Sequence, residues 1–303
     1  MKAARFSLLF FLGCSLVAVS FAAALRTGPV LRSAQATLAR SFEEKAADLS
    51  WAGEPVRAMQ TYRDVLNQWH ALDDIDGIIR CRTAIFSLLR ETGTAKDQAE
   101  WLRQTREIWA TYQATSVAGG AQPGEEFWRS LTLLNHSILV GALEAQPADL
   151  PGAEGALREV RNGAARLSAG EQRRWQIASR NLEARIHLAQ GDPVGAASLL
   201  KAPIPSYAEM GEDREAVREA AQSWYLAART TQGAGHWADA LARYQTALEG
   251  FRSLGQVRWI QSCLEGMEDV CRRAGQDALA QQFQLRLDAQ RRSLRPADGA
   301  AGK

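Results

Sequence analysis

The strongest constraint in this sequence is a helix–turn–helix that recurs. Gly53, Gly93, Gly191, Gly235 and Gly275 each separate two stretches whose large apolar residues fall three and four apart. That spacing keeps them on one face of a 3.6-residue helix. Successive glycines lie 40, 98, 44 and 40 residues apart, and the long interval holds one further helix pair and a loop. An alanine stands five residues after the turn at Ala58, Ala196, Ala240 and Ala280. A unit repeated at a fixed period stacks on its neighbours to bury its apolar face. The expected fold is therefore an all-α solenoid.

The clearest copy is WYLAARTTQGAGHWADALARYQTALEGF, Trp224 to Phe251. In its second half Trp237, Leu241, Tyr244, Leu248 and Phe251 share one helix face, with Ala240 and Ala247 beside it where another helix can approach closely. Gly233 and Gly235 permit a sharp turn, and Trp224, Ala227 and Ala228 form the stripe of the preceding helix. Trp224, Ala228, Gly235, Ala240, Tyr244 and Ala247 stand at the spacing of the tetratricopeptide-repeat signature, and the stretch resembles that family. It departs from the pattern at Arg252-Ser253-Leu254-Gly255, where the family often has a proline. The resemblance implies a right-handed α-solenoid of about six antiparallel helix pairs, whose usual role is protein–protein contact.

The other pairs follow from the same periodicity. Leu38, Phe42, Ala46 and Leu49 make a first stripe, and Ala58, Tyr62, Val65 and Trp69 its partner. Asp74–Leu89 and Lys96–Tyr112 form a second pair around Gly93. Pairs one and two thus occupy 26–113. A loop with Gly119, Gly120 and Pro123 is expected over 114–124. Pairs three to six occupy 125–294, the fourth cut short by Pro203 and Pro205. Residues 295–303 read as a disordered tail.

Residues 1–25 set the expected location. Lys2 and Arg5 precede Phe6–Leu25, a run without a charge. It fits a cleaved secretory signal ending near Ala22-Ala23-Ala24, or an uncleaved anchor of about 20 residues. Gly13-Cys14 also resembles a bacterial lipoprotein signal, which makes Cys14 a lipidation candidate. All three readings need a membrane and place the body in the cell envelope. The 303-residue chain carries Lys+Arg 36 against Asp+Glu 34. With Lys2 and Arg5 set aside the body is neutral, which argues against nucleic-acid binding.

No catalytic motif is present: there is no GxSxG, HExxH or Gly-rich phosphate loop. Glu183 and His187 are four apart, but no second cluster completes a metal site. Cys263 and Cys271, eight apart on one helix, lie too far from each other for a disulfide. The expectation is a non-enzymatic scaffold with no cofactor and no metal, binding a protein or peptide. The alternative is a helical accessory domain of an envelope enzyme, or an unrecognised hydrolase. The family resemblance further implies that the first helix of each pair lines an inner groove. Carrying the register from Gly191 and Gly235 places Asn181, Arg185, Tyr225 and Arg229 there, and from Gly93 it adds Arg80. Arginines in one groove would grip an acidic or carboxylate-terminated peptide.

Overall fold

The computed structural model describes residues 31–118, 124–211 and 213–293. Among them the chain is all-α, an α-solenoid of antiparallel pairs. The first pair is α1 (31–51) and α2 (Pro55–Leu72). The second is α3 (Ile75–Thr92) and α4 (Ala95–Ala118), and the third α5 (Glu125–Glu144) and α6 (Leu150–Ala164). The fourth is α7 (Ala169–Ala189) and α8 (Pro193–Leu199), followed by the single turn α9 (Tyr207–Met210). The fifth is α10 (Arg214–Gly233) and α11 (Trp237–Ser253), and the sixth α12 (Val257–Arg273) and α13 (Asp277–Ser293). Cys14 and the rest of the N-terminal segment, the centre of the 114–124 loop and the 295–303 tail lie outside the described residues.

Local chemistry places the helix ends. Gly53, Gly191, Gly235 and Gly275 all adopt φ between 71° and 78°, the left-handed turn between the helices of a pair. Gly93 does not: its φ is −102°, and the α3–α4 turn is fixed instead by Thr94 and Asp97, which cap each other's backbone. Asp74, Asp149 and Asp192 each accept from the backbone N–H of a glycine three residues on. One boundary differs from the sequence reading. Helix α4 continues to Ala118, past the start of the expected loop, because Ala114–Ala118 contains no breaker. Helix α8 is seven residues long, short as Pro203 and Pro205 lead one to expect, and α9 follows it, Tyr207 donating to the Thr246 carbonyl at 2.8 Å.

Packing follows two rules. Within a pair and across successive pairs, α2 packs on α3, α6 on α7 and α11 on α12; beneath them α3 packs on α5, α5 on α7, α7 on α10 and α10 on α12. The first helices thus form an inner layer. The residues of the repeat signature meet in one core: Ala228, Ala240, Tyr244 and Ala247 are buried there, Trp224 packs against it, and Gly235 makes the turn. The first stripe needs a correction. Ala39 and Ala46 point inward, while Leu38 and Phe42 are 55% and 37% exposed. The inward face of α1 is thus its alanine face, and the larger residues of the stripe lie toward its outside.

Large side chains lodge against glycines where helices cross. Trp69 lies against Gly77, and Tyr244 against Gly266, so close that a Cβ on either glycine would overlap the ring. Tyr244 is 2% exposed and its hydroxyl donates to Gln232 Oε1 at 2.6 Å, so the ring has little room to move. Gly266→Ala should therefore destabilise the protein by ~1–3 kcal/mol through overpacking, more than the ~1 kcal/mol helix-propensity gain. Urea unfolding of the variant checks this, and an unchanged or raised midpoint contradicts it.

Candidate functional site: a chamber lined by the first helices

The first helices converge on one cavity of about 350 Å³. Its wall draws on α1 (Trp51), α3 (Arg80, Ser87, Arg90), α5 (His136, Ser137), α7 (Arg174, Trp175, Arg185), α10 (Arg218, Glu219, Gln222) and α12 (Arg258, Trp259). Along each helix the lining residues recur at steps of three and four, as one face must. Helix α3 contributes Arg80, Ala84, Ser87 and Glu91, and α10 contributes Glu215, Arg218 and Gln222.

The solenoid also closes on itself. Arg258 donates to the Arg90 carbonyl at 3.1 Å, joining residues 168 apart in sequence. Arg214 pairs with Asp48 at 3.6 Å and lies over the Trp51 ring, and the Gly255 turn abuts the Trp51 carbonyl. The last two pairs thereby meet the first two. The inner surface is a chamber with a seam.

Six arginines line this chamber. Arg80 is held by Glu43 through two bonds of 3.0 and 3.3 Å. Arg90 makes a two-pronged bond to Glu144, and Arg185 reaches the same carboxylate at only 3.7 Å. Arg174 pairs with Glu171, and Arg218 with Glu215 and Glu219. Burial pulls the Glu144 pKa up, but the hydrogen bond from Arg90 and the charges of Arg90, Arg185 and Arg258 outweigh it and hold it below the ordinary value. Arg185 is pushed down to about 10, first by burial and then by repulsion from Arg90.

Of the five residues the sequence placed in the groove, two line the chamber: Arg80 and Arg185. Asn181 is buried between α7 and α10. Its amide donates to the Glu219 carbonyl at 2.9 Å, and its carbonyl accepts from Ser223 at 2.6 Å. Tyr225 packs edge-on against Tyr244 and Trp259 at centroid distances of 5.7 and 5.3 Å. Arg229 is exposed and belongs to a separate surface hollow with Trp237 and Arg273. The reason is geometric. Helix α12 covers the second half of α10, so that helix meets the chamber only through its first half. Arg90, Arg174, Arg218, Arg258 and His136 were missed; their signal was polar residues at helical spacing along the first helices. The Glu183 and His187 side chains part company: Glu183 pairs with Arg161 at 2.5 Å and His187 with Asp192 at 2.8 Å.

No protein-family model and no curated protein matches the chain. Among solved structures it is similar to BtubC (BKLC) from P. vanneervenii, with 12% identity, a TM-score of 0.45, and 86% of this chain and 96% of that chain covered. It is also similar to the TPR2AB domain of yeast Sti1 in its pHSP90 complex, with 12% identity, a TM-score of 0.28, and 84% and 99% covered. Both superpositions are loose, and the helical-repeat architecture rests on the chain's own packing.

Two measurements probe the chamber wall. His136 is half-buried, its ring set edge-on to Trp175 and facing three arginines. Burial first, then Arg218, Arg90 and Arg185, push its pKa from the usual 6.5 to about 3. The unfolded chain therefore binds a proton that the folded one refuses, and stability present above pH 6.5 falls as pH drops toward 3. Between pH 7 and pH 5 this should cost ~1–2 kcal/mol, and His136→Gln should remove that component. Urea midpoints at both pH values decide, and parallel losses in the two proteins refute it. Separately, Asn181→Ala should lower stability by ~1–3 kcal/mol by leaving buried polar groups unpaired. A fully stable variant would contradict the buried network.

Proposed function

We propose that this protein is a non-enzymatic helical-repeat scaffold of the cell envelope, exported or held at a membrane by residues 1–25. Its chamber face takes an acidic or carboxylate-terminated segment of a partner protein. The observation that carries this reading is the convergence of six first helices on one arginine-lined chamber. Guanidinium groups recognise carboxylates through two parallel hydrogen bonds, and the solenoid offers them from several repeats at once. Among the described residues no helix is long and apolar enough to cross a membrane.

Capture from the membrane fraction by the full chain, followed by direct binding of the captured protein, tests the scaffold role. Arg174→Ala with Arg185→Ala should weaken binding by ~1.5–3 kcal/mol per lost charged contact, most strongly at low salt. Arg229→Ala, outside the chamber, should bind as wild type. Equal binding by the chamber double variant, with its helical spectrum intact, removes the chamber as the partner site. For attachment, deletion of Phe6–Leu25 should leave the body off the membrane, and a Cys14→Ser protein that keeps membrane attachment and its precursor mass excludes lipidation.

A further inference from the structure

We propose that the first turns of α1 dock on an anionic lipid surface, with Leu31, Leu38 and Phe42 entering the headgroup–acyl boundary between Arg32 and Lys45. The proposal rests on the attachment through residues 1–25 and adds how the body is seated against the bilayer.

The face is apolar, and its exposure is graded. Leu31, Leu38, Phe42 and Leu49 share one side of the helix, by steps of seven and four. Leu49 packs against the first core, while Phe42 is 37% exposed, Leu38 55% and Leu31 59%. No described residue of α1 before Ala39 is buried. Exposure therefore rises toward the end of the helix that follows the uncharged run Phe6–Leu25. Short helical turns without tertiary packing are marginal in water, and the outer face of a terminal repeat is ordinarily polar. A lipid surface over these turns removes both costs.

Chain length and charge name the occupant. Residues 26–30 span at most ~18 Å when fully extended, and Leu38 lies ~10 Å along the helix from Leu31. With Leu25 at the membrane, the apolar strip stays close to the surface. An interfacial helix sinks its apolar face ~5–10 Å into the headgroup–acyl boundary, which is within that reach. The charges agree. Of the chain's 34 Asp and Glu none precedes Glu43, whereas Lys2, Arg5, Arg26, Arg32 and Arg40 do. Glu43 itself turns inward to Arg80 at 3.0 Å. Arg32 and Lys45 are exposed toward the two ends of the strip. Their stems can lie along lipid while their charges reach the phosphates. A second copy fits worse. A two-fold contact places the same patch against itself, and these cations would face their own images with no acidic residue over 31–42 to offset them.

The test is photo-cross-linking of the full-length protein in vesicles of phosphatidylcholine and phosphatidylglycerol in equal parts. Benzoylphenylalanine replaces Leu38 in one protein and, in another, Val194, which is 78% exposed on α8. Flotation first reads whether each protein attaches to the vesicles. Position 38 should then give a lipid adduct and position 194 should not. Arg32→Gln with Lys45→Gln, or vesicles of phosphatidylcholine alone, should cut the adduct several-fold. Floating protein with no lipid adduct at position 38, or with as much at position 194, overturns the docking and leaves the attachment standing. An adduct indifferent to both changes overturns the anionic surface. A cross-linked dimer through position 38 assigns the strip to a second copy and overturns the docking equally. Protein that does not float removes the attachment, and the docking with it.

Discussion

Helix spacing in this protein depends on one kind of contact, a large side chain of one helix seated on a glycine of another. Trp69 on Gly77 joins the first pair to the second, Tyr244 on Gly266 joins the fifth to the sixth, and Leu102 on Gly141 joins the second to the third. Tyr207 on Gly250 seats α9 on α11 in the same way. Each glycine removes the Cβ that would hold the helices apart, and close-packed interiors do not tolerate the overlap a methyl would create. These contacts therefore set how far each pair leans on the next. Repeated along the stack, that lean brings the sixth pair round to the first and second.

The curvature accounts for the chemistry inside. Were the stack straighter, the arginines of the first helices would face open water, where ion pairs contribute little. Closed on itself, it puts those arginines into a chamber and makes their pairing consequential. Arg80 with Glu43 and Arg90 with Glu144 are tied between helices 37 and 54 residues apart. Removing one partner of such a pair leaves a poorly hydrated charge behind, which costs more than the pair contributes when intact. The chamber wall is thus part of what holds the fold together.

How much of this was legible follows from which interactions are local. The helix pairs were legible because apolar spacing and turn glycines are written within 40 residues, and Gly53, Gly191, Gly235 and Gly275 do adopt the left-handed turn. Gly93 shared their position but not their conformation, since Thr94 and Asp97 offered another way to turn. Short α9 carried no periodic signal, being a single turn capped by Ser206 and Glu209. The groove was legible as a layer of first helices but not residue by residue. Equal places in successive repeats, such as Arg185 and Arg229, point different ways once the stack twists, and no local pattern encodes the twist.

Asn181 shows why the difference matters for function. By sequence it stood beside Arg185 as a groove residue; in the fold it is 1% exposed and bonded to Glu219 and Ser223 of α10. Those bonds hold α7 against α10, and the same two helices carry Arg174, Arg185, Arg218 and Glu219 into the chamber. Glu219 is shared: its backbone and side chain satisfy Asn181, while its carboxylate meets Arg218 at 3.3 Å. A buried polar group can serve only the partners within its reach, so Glu219 is committed to holding the helices and to Arg218. The network that fixes the inner layer thus also sets the charges of the wall that α7 and α10 share.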